Sequence, residues 1–115
     1  MKILEERRGE VVVIRPDCAQ LNAPVAGDFK RRVATIVDGG DHRLVLDLQD
    51  VEFVDSTGLG AIVSVLKSVD ATGYLRLCHA SKTVRVMLEV THMTRILPIH
   101  DDVTSAMRGT ADAAP

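Results

Sequence analysis

Hydrophobic positions along the chain fall into two alternating periods, one of short β-type runs and one of helical spacing. Ile3-Leu4 opens a first short run, and a charged turn around Arg8-Gly9 leads into Val11–Ile14, where every residue is β-branched. This reads as a hairpin of two strands. Pro16 is expected to end the second strand because proline lacks a ladder donor, leaving a loop through Asn22. Val25, Phe29, Val33, Ile36 and Val37 then recur on one face of a helix, with Asn22 as expected N-cap and Pro24 in the first turn. Lys30, Arg31 and Arg32 fall on the opposite face, and Gly39-Gly40 closes the element.

The run Leu44–Leu48 is apolar but for Asp47, as expected of a strand covered on both faces. A short extension, Val51–Val54, precedes a second helix whose expected inward residues are Leu59, Ile62, Val63, Leu66 and Val69. Gly73 is expected to stop it. Tyr74–Cys78 predicts another strand. Ser81 is placed to cap a third helix carrying Val84, Met87 and Leu88 inward. Ile96–Ile99, interrupted by Pro98, predicts a strand at an edge, and Asp101 or Asp102 caps a short last helix through Met107. The order β, β, α, β, α, β, α, β, α predicts a single α/β domain. Its central sheet is mostly parallel but mixed, with an N-terminal antiparallel hairpin and about four helices. Residues 1–109 form this domain, and 110–115 (TADAAP) are expected to be a flexible tail.

Composition narrows the chemistry. The 115 residues are 46% hydrophobic, which supports a folded core, but only 3% aromatic: Phe29, Phe53 and Tyr74, with no Trp. So few rings disfavour a base-stacking platform. Fourteen basic and sixteen acidic residues give a net charge of −2, which disfavours a duplex-binding surface. No run is long enough to cross a membrane, and MKILEERRGE carries no signal-peptide core, so a cytoplasmic protein is expected. Cys18 and Cys78 read as isolated thiols, with no metal-ligand spacing around them.

The segment DSTGLG is where strand and loop meet the second helix. Asp55, Ser56 and Thr57 are all cap-forming types, and helix N-termini carry unpaired N–H groups and partial positive charge. Gly58 and Gly60 lack Cβ and permit close approach by another backbone or a bulky group. A helix cap alone accounts for the first three residues. It does not require two glycines, each costing roughly 1 kcal/mol against Ala in a helix.

The stretch LDLQDVEFVDSTGLGAI, residues 47–62 with Leu46, resembles the signature of the STAS domain, the fold of bacterial anti-sigma factor antagonists. The hairpin start, Leu21-Asn22-Ala23 and the stretch Val84–Leu97 fall in register with it. The resemblance implies that Ser56 is a phosphorylation site, modified by an anti-sigma factor/serine kinase of GHKL ATPase type and restored by a PP2C-type phosphatase. It implies that the unphosphorylated form binds that kinase and frees a sigma factor. Asn22, Ala23, Asp55, Ser56, Thr57, Gly58 and Leu59 would form the partner-binding surface. The chain departs from the family pattern where Arg15–Gln20 replace a usual Gly and where Asn22 replaces a usual Asp. These changes leave the acceptor serine intact and bear on partner identity.

Other readings are weaker. Ser56 lacks the preceding Gly of a GxSxG elbow, GLGAIV has Val63 in place of the third glycine of GxGxxG, and no Walker A sequence occurs. His42, His79, His92 and His100 are expected on the surface or in loops. Asp47, Asp50, Glu52 and Asp55 are expected to scatter rather than gather around a metal. No enzyme activity, cofactor or metal is therefore expected. A scaffold or small-subunit role in a lipid-transport or signalling complex, without phosphorylation, is the alternative.

Overall fold

The computed structural model describes residues 1–109. The expected tail, 110–115, lies outside the described residues. Strands β1 (Lys2–Arg8) and β2 (Val11–Asp17) form the predicted antiparallel hairpin, with Arg8 opposite Val11 at its turn. Strands β4 (Arg43–Asp47), β6 (Tyr74–Cys78) and β7 (Ile99–His100) extend it in parallel, in the order β1-β2-β4-β6-β7. β4 is the central strand, and Leu44–Leu48 are all buried, which is why that run shows no alternation. β1 is an edge strand on which Ile3 alone is buried and Lys2, Glu5, Glu6, Arg7 and Arg8 are exposed. Charge along an open edge discourages pairing with another chain.

Alternation sorts the strand residues onto two faces. Val12, Ile14, Leu44, Leu46, Leu75 and Leu77 join the main core under α1 (Ala23–Asp38), α2 (Ser56–Val69) and α3 (Lys82–Val90). Val11, Val13, Val45 and Cys78 face the other way and meet Ala106 of α4 (Val103–Arg108). Arg76 fastens α4 to this second face. Its guanidinium lies 3.6 Å from the Tyr74 ring centre and donates to the carbonyls of Ala106 (3.0 Å) and Met107 (3.2 Å), at the negative end of the helix.

Several boundaries differ from expectation for physical reasons. β2 continues through Pro16, which pairs with Ile3. The parallel ladder to β4 ends at Ile14, so the missing N–H of Pro16 removes no bond on that side. Residues 18–22 are not wholly loop: β3 (Gln20–Leu21) pairs in parallel with β5 (Phe53–Val54) as a separate small sheet. α2 ends at Val69, before Gly73. A Cβ on Gly73 would stand 1.8 Å from the His42 carbonyl oxygen, so this glycine permits the approach of β6 to the start of β4. The buried face of α2 is Gly58, Ala61, Ile62, Val65 and Val69, displaced about one position from the expected one, with Leu59, Val63 and Leu66 half-buried. Met93–Arg95 form a 3-10 turn, so the last strand is shorter than predicted, though it does lie at the sheet edge. No described helix is long and apolar enough to cross a membrane.

Candidate functional site

The small β3–β5 sheet brings Asn22 and Asp55 side by side, so α1 and α2 begin next to each other. Asp55 serves both helices with one carboxylate. Its Oδ1 accepts from the Gly58 N–H at 2.8 Å, in α2, and its Oδ2 accepts from the Ala23 N–H at 3.1 Å, in α1. Its own N–H donates to the Leu21 carbonyl at 3.2 Å. Asn22 occupies the N-cap position of α1 as expected, but its side chain makes no cap bond and donates to Gln20 Oε1 at 3.1 Å instead. The capping role expected of Asn22 is taken over by Asp55, 32 positions beyond the Ala23 N–H it accepts from. Ser81 and Asp102 do cap their own helices, accepting from the Val84 and Ser105 N–H groups.

Ser56 is the first residue of α2 and is exposed, as is Thr57. Its hydroxyl makes no hydrogen bond among the described residues. The two glycines that follow have different surroundings. A Cβ on Gly58 would stand 2.0 Å from the Leu21 carbonyl oxygen and 3.1 Å from a Val54 methyl. The close approach expected there is made by the chain's own backbone, and Gly58 is buried. A Cβ on Gly60 would meet nothing within 4 Å. Gly60 borders a groove of about 260 Å³ between the two helices, with Thr57 and Ser64 on one side and Ala26, Gly27 and Lys30 on the other. Gly27 is also open, with only the Arg31 guanidinium at 3.5 Å from a Cβ placed there. Phe53, 43% exposed, stands three residues before Ser56. The partner-surface residues expected from the sequence are therefore gathered at one end of the molecule. Gly58 is buried against the Leu21 backbone, and Gly27 and Gly60 border the adjacent groove. A glycine on the polar face of a well-patterned helix, as Gly27 is, was the sequence signal for this groove.

The remaining candidates separate. Asp50 takes a paired hydrogen bond from Arg15 (2.8 and 3.3 Å), Glu52 is exposed, and Asp47 is buried beside His79. His100 is buried in β7, not on the surface as expected. The ladder between β4 and β6 sets Asp47 opposite Cys78, and the Asp47, Cys78 and His79 ligand atoms all lie within 4.8 Å of one another. Burial, with the charges of Asp47 and Asp102 adding to it, pushes the Cys78 thiol up to about 12. The spacing of Cys78 and Asp47 in sequence carried no hint of this grouping.

Comparison with known proteins agrees with the fold. The family model of the STAS domain matches residues 2–106. A Thermotoga neapolitana protein named "Putative anti-sigma factor antagonist TM1081 homolog" is 35% identical over 108 residues, 92% of this chain and 91% of that one. The crystal structure of "a putative anti-sigma factor antagonist (tm1081)" from Thermotoga maritima superposes with a TM-score of 0.87 at 32% identity, covering 93% of this chain and 92% of that one. The Bacillus cell fate determinant SpoIIAA, solved in its phosphorylated form, shares the fold with a TM-score of 0.70 at 20% identity, covering 95% of this chain and all of that one.

Proposed function

The chain belongs to the STAS domain family, and from that membership we propose that it is an anti-sigma factor antagonist switched by phosphorylation of Ser56. The family is regulatory rather than catalytic. The unphosphorylated form docks an anti-sigma factor/serine kinase of GHKL ATPase type on the groove beside Ser56. A PP2C-type phosphatase returns the modified form to the docking state, and the exchange takes place in the cytoplasm. Asn22, Ala23, Asp55, Thr57 and Leu59 surround the acceptor, and Gly58 is buried against the Leu21 backbone.

The observation that carries this reading is the exposed, unengaged Ser56 hydroxyl at the N-terminus of a helix whose side-chain cap is Asp55 and not the serine. A phosphate can be added there without breaking a bond of the fold. It brings roughly −1.5 to −2 charges at pH 7. The N-terminus of α2 offsets part of that charge, by up to about 1 kcal/mol at an exposed position, while Asp55 opposes it. A partner covering the groove would enclose an incompletely paired dianion at a cost of several kcal/mol, about a thousandfold in affinity for each 4 kcal/mol. The switch thus acts at the surface, with little internal rearrangement.

The test is incubation with the GHKL-type kinase encoded nearest this gene, together with ATP. Phosphate is expected on Ser56 alone, with none incorporated by Ser56→Ala. Binding of that kinase by the bare chain with no phosphate transferred would overturn the switch and favour a scaffold role.

A further inference from the structure

A second polar cluster lies on the opposite face of the sheet, at the carboxyl ends of β4 and β6. In open α/β sheets this end is where ligands bind. Asp47 and Cys78 are ladder partners, so their side chains leave the sheet on the same side. His79 follows Cys78 and in a continuing strand would point the other way. It instead adopts a left-handed backbone conformation, φ 55°, uncommon for a residue with a Cβ. That turn brings its ring back, with Nδ1 2.9 Å from Asp47 Oδ1. The result is one carboxylate, one thiol and one imidazole whose ligand atoms all lie within 4.8 Å of one another.

We propose that Asp47, Cys78 and His79 bind a divalent cation of the zinc class, with the fourth coordination position open to solvent. Three observations support the class and geometry. Mixed sulfur, nitrogen and oxygen donors suit zinc and its neighbours rather than magnesium or calcium. A thiolate and a carboxylate neutralise the two positive charges, so the complex is neutral where Asp47 is 6% exposed and Cys78 fully buried. Asp47 and His79 also line a cavity of about 520 Å³ that reaches to Arg15 and Thr104. This gives the ion a route in and leaves room for a water as fourth ligand. Asp47 is already oriented by the Gln49 N–H, which donates to its Oδ1 at 3.0 Å, as ligand carboxylates commonly are.

Binding replaces the direct His79–Asp47 hydrogen bond and draws the donors in to the roughly 2.0–2.3 Å bonds of a tetrahedral site. The half-exposed His79 side chain can make that movement by rotation. The S–H bond of Cys78 breaks, its electron pair forms the bond to the metal, and the proton passes to water, while His79 binds as a neutral imidazole through the ring nitrogen that then carries no proton. No electron is transferred.

The experiment titrates the intact chain with cobalt(II), whose thiolate charge-transfer absorption reports a Co–S bond. One equivalent should produce that band together with the visible absorption of a tetrahedral ion, and zinc should abolish both. Cys18→Ala should keep the band, Cys78→Ala should lose it, and His79→Gln should weaken binding at least tenfold. If Cys78→Ala does not fold, His79→Gln decides, because its side chain is partly exposed and its loss spares the core. Zinc should raise the melting temperature of the wild type and not of His79→Gln. Absence of a charge-transfer band, a band lost with Cys18 instead, or binding undiminished in His79→Gln would each overturn the assignment. None of these outcomes depends on Ser56 or on a protein partner.

Discussion

Gly58→Ala and Gly60→Ala add the same methyl group two residues apart and should have opposite effects. At Gly60 nothing lies within 4 Å of the new Cβ. The substitution replaces glycine with alanine inside α2 and should stabilise the fold by about 1 kcal/mol, or about 4 °C in melting temperature for a chain of this size. The same methyl projects into the groove between α1 and α2. Overpacking a close-fitting contact costs roughly 1–3 kcal/mol, so affinity for the kinase partner should fall about tenfold or more. At Gly58 the new Cβ would stand 2.0 Å from the Leu21 carbonyl oxygen and 2.9 Å from its carbon. Backbone cannot swing aside as a side chain can. Either α2 lifts or β3 leaves β5, and the bond from the Asp55 N–H to Leu21 goes with it. A net loss of about 3 kcal/mol follows from overpacking and the disturbed cap, less the gain in helix propensity. Urea unfolding followed by circular dichroism measures both, since the chain has no Trp, and calorimetry with the kinase measures binding. A destabilised Gly60→Ala variant would refute the open space at that position, and a stabilised one that binds its partner as tightly as the wild type would refute the assignment of Gly60 to the docking surface. A neutral Gly58→Ala would refute the packing argument.

Asp55→Ala should cost about 2–3 kcal/mol in urea unfolding, because two helix caps are lost and each is worth roughly 0.5–2 kcal/mol. Asp55→Asn retains only one suitable acceptor and should cost less. It should cost less still in an Ala23→Pro background, where the α1 donor is gone and the extended backbone of Asn22 already suits a following proline. Ser56→Asp should lower kinase affinity while leaving the melting temperature within about 1 °C, since the Ser56 hydroxyl makes no hydrogen bond among the described residues; equal affinity by calorimetry would count against the electrostatic switch. Alkaline pH provides a further check. Folding raises the Cys78 thiol from an ordinary value of 9.0 to about 12, so the native chain holds a proton that the unfolded chain releases. Stability from this group is complete below about pH 9 and declines as pH rises toward 12. Cys78→Ala should flatten that limb of the stability curve.

Local pattern alone carried the element types, the hairpin and the parallel character of the sheet, while the resemblance of DSTGLG to the family signature singled out Ser56. Periodicity of 2 or 3.6 reflects which side of an element faces the core, and a helix such as α1 records it in Phe29, Val33 and Val37 wherever it docks. The displaced face of α2 shows the limit of that signal. Hydrophobic pattern is dominated by large residues such as Leu59 and Leu66, whereas the buried face also runs through the small residues Gly58 and Ala61, and at Gly58 the lack of a side chain lets the Leu21 backbone approach. The two-residue strands β3 and β5 are too short to have a period. They pair because the larger elements bring Gln20 and Phe53 together from 33 residues apart. The same long-range placement made Asp55 the cap of a distant helix, assigned one glycine to the fold and another to the open groove, and set Asp47 beside Cys78 and His79. Each of these depends on where a strand ends and which residue its neighbour presents across the gap, and such distances exist only once the chain has folded.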